Sequence, residues 1–398
     1  MARAADAPFV LLVESHADVE RERALLFREP LELISCREPR DVPGCLERLE
    51  RAIAGGHFVA GFLAYEAGYG LEPKLAELAP APLASGEHAL WFGVFRGRRE
   101  LRGAEVGAWL AERSGGTSAE ISALDFDRDP ARYAADFASI QGHLRAGDSY
   151  QVCQSLRAHF EVRGSAPALF QKLRRAQPTA YSALIDTGDY DIVSLSPELF
   201  FRKTGDSVEL EPMKGTAAPG RDAAQDAEIA ERMRADPKTR AENVMIVDLL
   251  RNDIGRLALP GSVGVPELFA VKRFASVLQM TSTIRAQLEP HVGIARLMRA
   301  LFPSGSVTGA PKLRTMQIIR ALEPTPRGIF CGSIGFVTPE NDACFNVAIR
   351  SLFIDAAQRA TLGVGSGIVV DSSAEAELAE CHLKTRFLAA AELDRPRL

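Results

Sequence analysis

Short apolar runs separated by only a few residues recur along this chain, and that spacing decides which sheets it can build. Residues 183–185, 192–195 and 199–203 are the clearest case. Parallel neighbours need a crossover of about a dozen residues or more, whereas antiparallel neighbours need only a tight turn. Further strand-like runs lie at 58–64, 90–95, 152–162, 334–337, 346–353 and 360–370. Helical periodicity falls at 130–145, 167–177, 237–251, 292–301, 311–322 and 374–393, with Asp129 as N-cap and Pro130 at the first position of its helix. Hairpin-like pairs outnumber strand–helix–strand alternation. The expected class is therefore α+β: antiparallel or mixed sheets packed on each other, helices outside. A loop is expected at 78–85. A polar, Gly-rich connector at 112–118 suggests a boundary near 120, with residues 1–120 an N-terminal region of the same α/β body and 121–398 the domain carrying the chemistry.

Composition excludes several classes. The chain has 398 residues and a net charge of −5, without a Lys/Arg run dense enough to track phosphates, so no nucleic-acid partner is expected. Aromatics at 7% are too few for base-stacking surfaces. The six cysteines, at 36, 45, 153, 331, 344 and 381, form no Cys-x-x-Cys pair and no zinc spacing, as in a reducing cytoplasm. The N-terminal apolar run 9–13 stops at Glu14, too short for a signal peptide. No stretch of about 20 apolar residues could span a membrane.

Three constellations could carry chemistry. In Glu211-Pro212-Met213-Lys214-Gly215-Thr216, a lysine stands between proline and glycine; a desolvated lysine amine is a nucleophile, although most lysines are solvated surface charges. The helix opened by Asp236-Pro237 carries Glu242, which suits either a dipole partner or a metal ligand. It ends in Asp248, Arg251, Asn252 and Asp253, expected to satisfy one another. Glu377, Glu380 and Lys384 share one helix face. They are either a surface ion pair worth about 0.3–0.5 kcal/mol or part of a Mg²⁺ site completed by Glu242. The glycines of Gly363-Val364-Gly365-Ser366-Gly367 lack the dinucleotide register, yet could offer backbone N–H groups to an anion. The 303–312 segment fails as a phosphate-binding loop, since three residues separate Gly305 from Gly309 and Ala310-Pro311 precede Lys312.

Taken together, these blocks resemble the chorismate-utilising enzymes: anthranilate synthase component I, aminodeoxychorismate synthase component I, isochorismate synthase and salicylate synthase. The resemblance runs in order through Gly147-Asp148-Ser149-Tyr150-Gln151-Val152, Ser196-Pro197-Glu198-Leu199-Phe200, residues 212–216, 241–253, 305–312, 328–335, 346–350, 365–371 and 377–384. Residues 11–15 and 61–65 resemble the family only weakly. The resemblance implies an anthranilate synthase component I-like fold, with 121–398 as the chorismate-binding catalytic domain. Two positions separate the branches. Lys214 stands where anthranilate synthases typically carry alanine and aminodeoxychorismate synthases lysine. Gln151 stands where the water-using branches carry a lysine. Both imply the aminodeoxychorismate synthase component I branch, which makes 4-amino-4-deoxychorismate for 4-aminobenzoate and folate.

That resemblance assigns catalysis to Lys214, Gln151 and Thr216. It assigns substrate binding to Gly215, Ser306, Arg350, Gly365, Gly367 and Lys384, and Mg²⁺ to Glu242, Glu380 and, in support, Glu377. Lys214 would add to C2 of chorismate and expel the C4 hydroxyl, after which ammonia would displace the lysine. A glutamine amidotransferase subunit would supply ammonia, and a separate aminodeoxychorismate lyase would release pyruvate. Departures from the pattern are Gln279 in place of a frequent histidine, Leu378 in place of an aromatic, and Cys381-His382-Leu383 in place of Thr-x-Asn. Lys214 and the interruption of a Leu-Leu-Glu-Ser-like element by Val13 argue against anthranilate synthase component I. A non-catalytic chorismate-binding regulatory subunit should lack a metal carboxylate, and Glu242 and Glu380 are both present.

Overall fold

The computed structural model describes residues 7–15, 22–81, 86–274 and 277–392. Residues 82–85 of the expected loop and Leu393 of the last expected helix lie outside them. Two sheets of eleven and ten strands form the centre, and every ladder between strands is antiparallel. The first sheet runs Gly309–Ala310, Gln151–Arg163, Arg359–Ile368, Ser351–Ile354, Asp191–Ser196, Tyr181–Asp186, Phe9–Glu14, Arg23–Arg28, Arg99–Arg102, with Glu120–Ile121 and Asp125–Phe126 also on Gln151–Arg163. The second runs Met213–Ala217, Leu278–Gln287, Ser207–Glu211, Leu199–Thr204, Ala343–Asn346, Ser333–Val337, Phe58–Leu63, Leu90–Phe95, Glu32–Cys36, with Gly264–Arg273 also on Leu278–Gln287.

The two-residue period explains the layering. On strand Phe9–Glu14, Phe9, Leu11 and Val13 point into a core shared with helices Ala104–Arg113 and Ala166–Ala176, while Val10 points the other way. Val10, Phe27, Ala183, Ile185 and Ile192 of the first sheet meet Ala60, Phe62, Trp91, Phe95 and Ile334 of the second. The outer face of the second sheet is covered by helices including Val42–Ala54, Pro237–Gly255 and Ile294–Leu301. Both sheets are thus apolar on two faces, and helices close the outer ones. No helix among the described residues is long and apolar enough to cross a membrane.

Some expectations need correction. Residues 346–353 are not one strand: Ala343–Asn346 belongs to the second sheet and Ser351–Ile354 to the first. The chain changes sheets between them, turning at Arg350, whose φ is +52°. The helix expected at 374–393 stops at Lys384, where the Thr385 hydroxyl donates to His382 O, and a 3-10 turn, Arg386–Ala390, continues the apolar spacing. Helix Pro237–Gly255 buries one face through Asn243, Ile246, Val247, Leu250, Asp253 and Ile254 and leaves Val244 exposed. Its C-terminal polar residues do not form one network: Asp248 pairs with Arg251 at 2.9 Å, and buried Asp253 pairs with Lys312 at 2.6 Å.

Candidate active site

Two crossings between the sheets lie side by side and build the floor of the site. The first is Ser196-Pro197-Glu198, which carries the chain from Asp191–Ser196 in the first sheet to Leu199–Thr204 in the second. The second is residues 347–350. They are tied together: Val347 N donates to Glu198 O at 3.0 Å, and Ser196 Oγ donates to Val347 O at 2.6 Å. Each crossing presents one ionisable side chain. Glu198 is 4% exposed and its Oε1 accepts from Ser306 Oγ at 2.6 Å. Burial pushes its pKa up to about 7 against the opposing pull of the Ser306 hydrogen bond and the Lys214 charge. Sequence reasoning assigned Glu198 no role. The available signal was an acid between two strongly apolar runs, where a lone carboxyl has no solvent. Arg350 is also desolvated, which lowers its pKa. Its backbone O accepts from Leu195 N at 3.0 Å.

Lys214 sits on strand Met213–Ala217 in the second sheet, half-buried. Its ammonium is one of the charges acting on Glu198, on Glu242 and on Cys153. Gly215 has φ +82°, and a Cβ there would collide with Thr239 Cγ2 on helix Pro237–Gly255, so only glycine fits. Asp236 caps that helix by accepting from Thr239 N at 2.8 Å. Thr216 is exposed, and its hydroxyl donates to Gln279 Oε1 at 2.9 Å.

Opposite lies strand Gln151–Arg163. Gln151 is fully buried, and neither atom of its carboxamide has a hydrogen-bond partner among the described residues. A buried amide left unpaired costs about 1–3 kcal/mol, so a group that pairs with it would bind favourably. Gly367 packs against that amide, where a Cβ would approach its carbon at 3.0 Å. Gly365 and Gly367 lie in regular strand Arg359–Ile368, paired with Gln151–Arg163 along its length but with Ser351–Ile354 only through residues 360–362. Lys384 closes this corner. Its Nζ donates to Gly365 O and pairs with Glu380, each at 2.7 Å. The side chain stays 41% exposed; desolvation lowers its pKa, but the Glu380 charge and hydrogen bond, with Cys381 and Cys153, together raise it.

The three expected metal ligands stand on two helices, Glu242 on Pro237–Gly255 and Glu377 and Glu380 on Ala374–Lys384, near enough for their charges to act on Glu242. Glu377 is buried and accepts from Ser372 Oγ at 2.6 Å. Burial raises the Glu242 pKa, with Lys214 and Lys238 opposing and Glu377 and Glu380 adding to the rise. Among the described residues no three His, Cys, Asp or Glu side chains already meet as a metal cluster. The donor set still fits a hard divalent cation, since three carboxylates repel across a partly desolvated gap that a Mg²⁺ would neutralise. Lys312 is spent on Asp253 and on Leu301 O, at 2.6 and 2.7 Å.

Comparison with known proteins adds a family and several relatives. Residues 15–390 match the family described as chorismate binding enzyme. Aminodeoxychorismate synthase component 1 of Klebsiella aerogenes is 41% identical over 278 residues, covering 69% of this chain and 61% of that protein. Anthranilate synthase component 1 of Streptomyces coelicolor is 36% identical over 259 residues, covering 65% of this chain and 50% of that protein. The crystal structure of anthranilate synthase component I from Streptococcus pneumoniae TIGR4 superposes with a TM-score of 0.78 at 26% identity, covering 92% of each chain. The match spans about three fifths of the length of the aminodeoxychorismate synthase relatives.

Proposed function

The chain belongs to the chorismate binding enzyme family, and from that premise we propose that it is the chorismate-aminating component of an aminodeoxychorismate synthase. Its substrates are chorismate and ammonia. The reaction replaces the C4 hydroxyl with an amine and keeps the enolpyruvyl group. The observation that supports this most is Glu198, a buried carboxyl bonded to Ser306, raised by burial to about 7 and acted on by the Lys214 charge.

The Lys214 ammonium first gives a proton to solvent, and the resulting amine attacks C2. The ring double bond shifts, and the C4–O bond breaks as Glu198 delivers its proton to the departing oxygen, which leaves as water. Ammonia then attacks C4, the double bond shifts back, and Lys214 departs as the neutral amine. The product carries –NH₃⁺, and Glu198 regains its proton from solvent. Ser306 orients the Glu198 carboxyl. The unpaired Gln151 amide offers an acceptor to ammonia and a donor to the ring substituents. Arg350 binds a substrate carboxylate bidentately. Gly365 and Gly367 allow the ring close to the backbone. Lys384 orders Glu380 and Gly365 and adds positive charge to that corner. Glu242, Glu377 and Glu380 would hold Mg²⁺, which when bound offsets substrate carboxylate charge. The remaining partners of this reading are a glutamine amidotransferase subunit and a downstream lyase, in the cytoplasm.

The test is mass spectrometry of the products from purified chain, chorismate, Mg²⁺ and an ammonium salt. A product that retains the enolpyruvyl group and exchanges hydroxyl for amine supports the reading, and Lys214→Ala should abolish it. Anthranilate with released pyruvate would mean the anthranilate branch instead. No product, even with a glutaminase partner added, would point to a binding subunit.

A further inference from the structure

The strand carrying Lys214 is out of step with its neighbour. Met213 pairs with Thr281 and Thr216 pairs with Gln279, so three steps on one strand match two on the other. The extra residue makes a bulge at Lys214-Gly215, with Gly215 in the left-handed region. A bulge re-aims a side chain, and it also interrupts the ladder that would otherwise hold that side chain's backbone. Here one neighbouring side chain supplies the missing bonds. Gln279 Nε2 donates to Gly215 O at 2.9 Å, and Gln279 Oε1 accepts from Thr216 Oγ1 at 2.9 Å. On its other side Gln279 pairs with Lys272, whose ammonium bonds Glu211 just ahead of the bulge. Gln279 is therefore the central rung of three strands at the level of the lysine.

We infer that Gln279 is a positioning residue for Lys214: its carboxamide clamps both flanks of the bulge and so fixes the direction of the ε-amine. The inference rests on the reading of Lys214 as nucleophile. A carboxamide suits the task, because the bulge offers one carbonyl needing a donor and one hydroxyl needing an acceptor. Leucine serves neither. An ionised glutamate accepts from Thr216 but cannot donate to Gly215. The inference also changes the role of Thr216, which acts through the clamp and not on the substrate directly.

The test is steady-state kinetics on the full chain with chorismate, Mg²⁺ and saturating ammonium, for Gln279→Leu, Gln279→Glu, Thr216→Val and Thr216→Val/Gln279→Leu. Each net hydrogen bond is worth about fivefold. Gln279→Leu should lower kcat about thirtyfold with the KM for chorismate within about twofold of wild type. Gln279→Glu and Thr216→Val should each lower kcat about fivefold. The double variant should be no worse than Gln279→Leu, because the second change removes nothing further. Gln279→Glu is isosteric and keeps the test valid if the leucine variant does not fold. Multiplicative losses would overturn the clamp and give Thr216 an independent role. A wild-type kcat in Gln279→Glu, or a loss confined to KM, would also overturn it. Lys214→Ala separates the two levels. Full turnover without the lysine would sink the nucleophile itself, whereas a dead Lys214→Ala beside fully active Gln279 variants would sink only the clamp.

Discussion

Glu198→Gln should make this protein more stable at alkaline pH and unable to aminate chorismate. The side chain is 4% exposed, and its pKa is raised from 4.5 to about 7, with burial the largest cause. Between those values the folded chain holds a proton that the unfolded chain has released. Stability therefore falls as pH rises through that window, and the penalty is complete above about pH 7. A shift of that size corresponds to about 3 kcal/mol. Glutamine keeps the oxygen that accepts from Ser306 and never ionises, so it removes the penalty. Its unpaired NH₂ costs about 1 kcal/mol at every pH, so the readout is the change in the difference between pH 5 and pH 8.5. For 398 residues, 3 kcal/mol corresponds to about 4 °C in Tm. Thermal melts of both proteins across that range, with turnover measured alongside, test this. Lys214, Glu211 and Lys384 act on Glu198 through its charge, so glutamine removes those effects together with the titration. A Tm difference that does not change with pH would refute the reasoning, as would full activity in the variant.

The other predictions concern the metal, the substrate and the frame. Glu380→Gln should raise the Mg²⁺ concentration needed for half-maximal turnover at least tenfold, measured by titrating Mg²⁺ into chelator-treated protein; an unchanged requirement would remove Glu380 as a ligand. Arg350→Ala should raise the KM for chorismate about 10- to 100-fold, the loss of a charge-assisted hydrogen bond; an unchanged KM would mean that another cation holds the carboxylate. Arg327 pairs with Glu323 at 2.8 Å and donates to Cys153 O and Val307 O, all buried. Arg327→Met should cost about 3–5 kcal/mol in urea unfolding, and Arg327→Met/Glu323→Leu should recover much of it.

How much of this was legible in the sequence depended on whether burial followed an apolar pattern. Strand Leu90–Phe95 and helix Pro130–Arg145 have the bounds expected, because an all-apolar run and an Asp-Pro start are unambiguous. Strand Leu278–Gln287 was missed, since Thr281, Ser282 and Thr283 occupy fully or nearly buried positions and hide the alternation. Its partners Met213–Ala217 and Gly264–Arg273 were missed with it. The apolar stretch Val347-Ala348-Ile349 looked like strand but crosses between the sheets, because only the tertiary fold puts Glu198 O within reach of Val347 N. Lys214, Gln151 and the three carboxylates were named from motif resemblance. Glu198 showed only as an acid between two apolar runs, and the place of Gln279 beside Lys214 depends on a register shift that a linear sequence does not display.

The way the sheets recruit their strands has a consequence for biosynthesis. Phe9 pairs with Asp186, and Val59 pairs with Val337, so these early strands, though each has one neighbour nearby in the chain, find the second only after roughly 180 and 280 further residues have been made. At about 5–20 residues per second, strand Phe58–Leu63 waits roughly 15–50 s on the ribosome with one edge unpaired. Such long-range closure is slow even once the chain is complete. The nascent protein therefore exposes apolar, hydrogen-bond-hungry edges for tens of seconds. Its yield in the cell depends on how well those edges are shielded until the second half of the chain arrives.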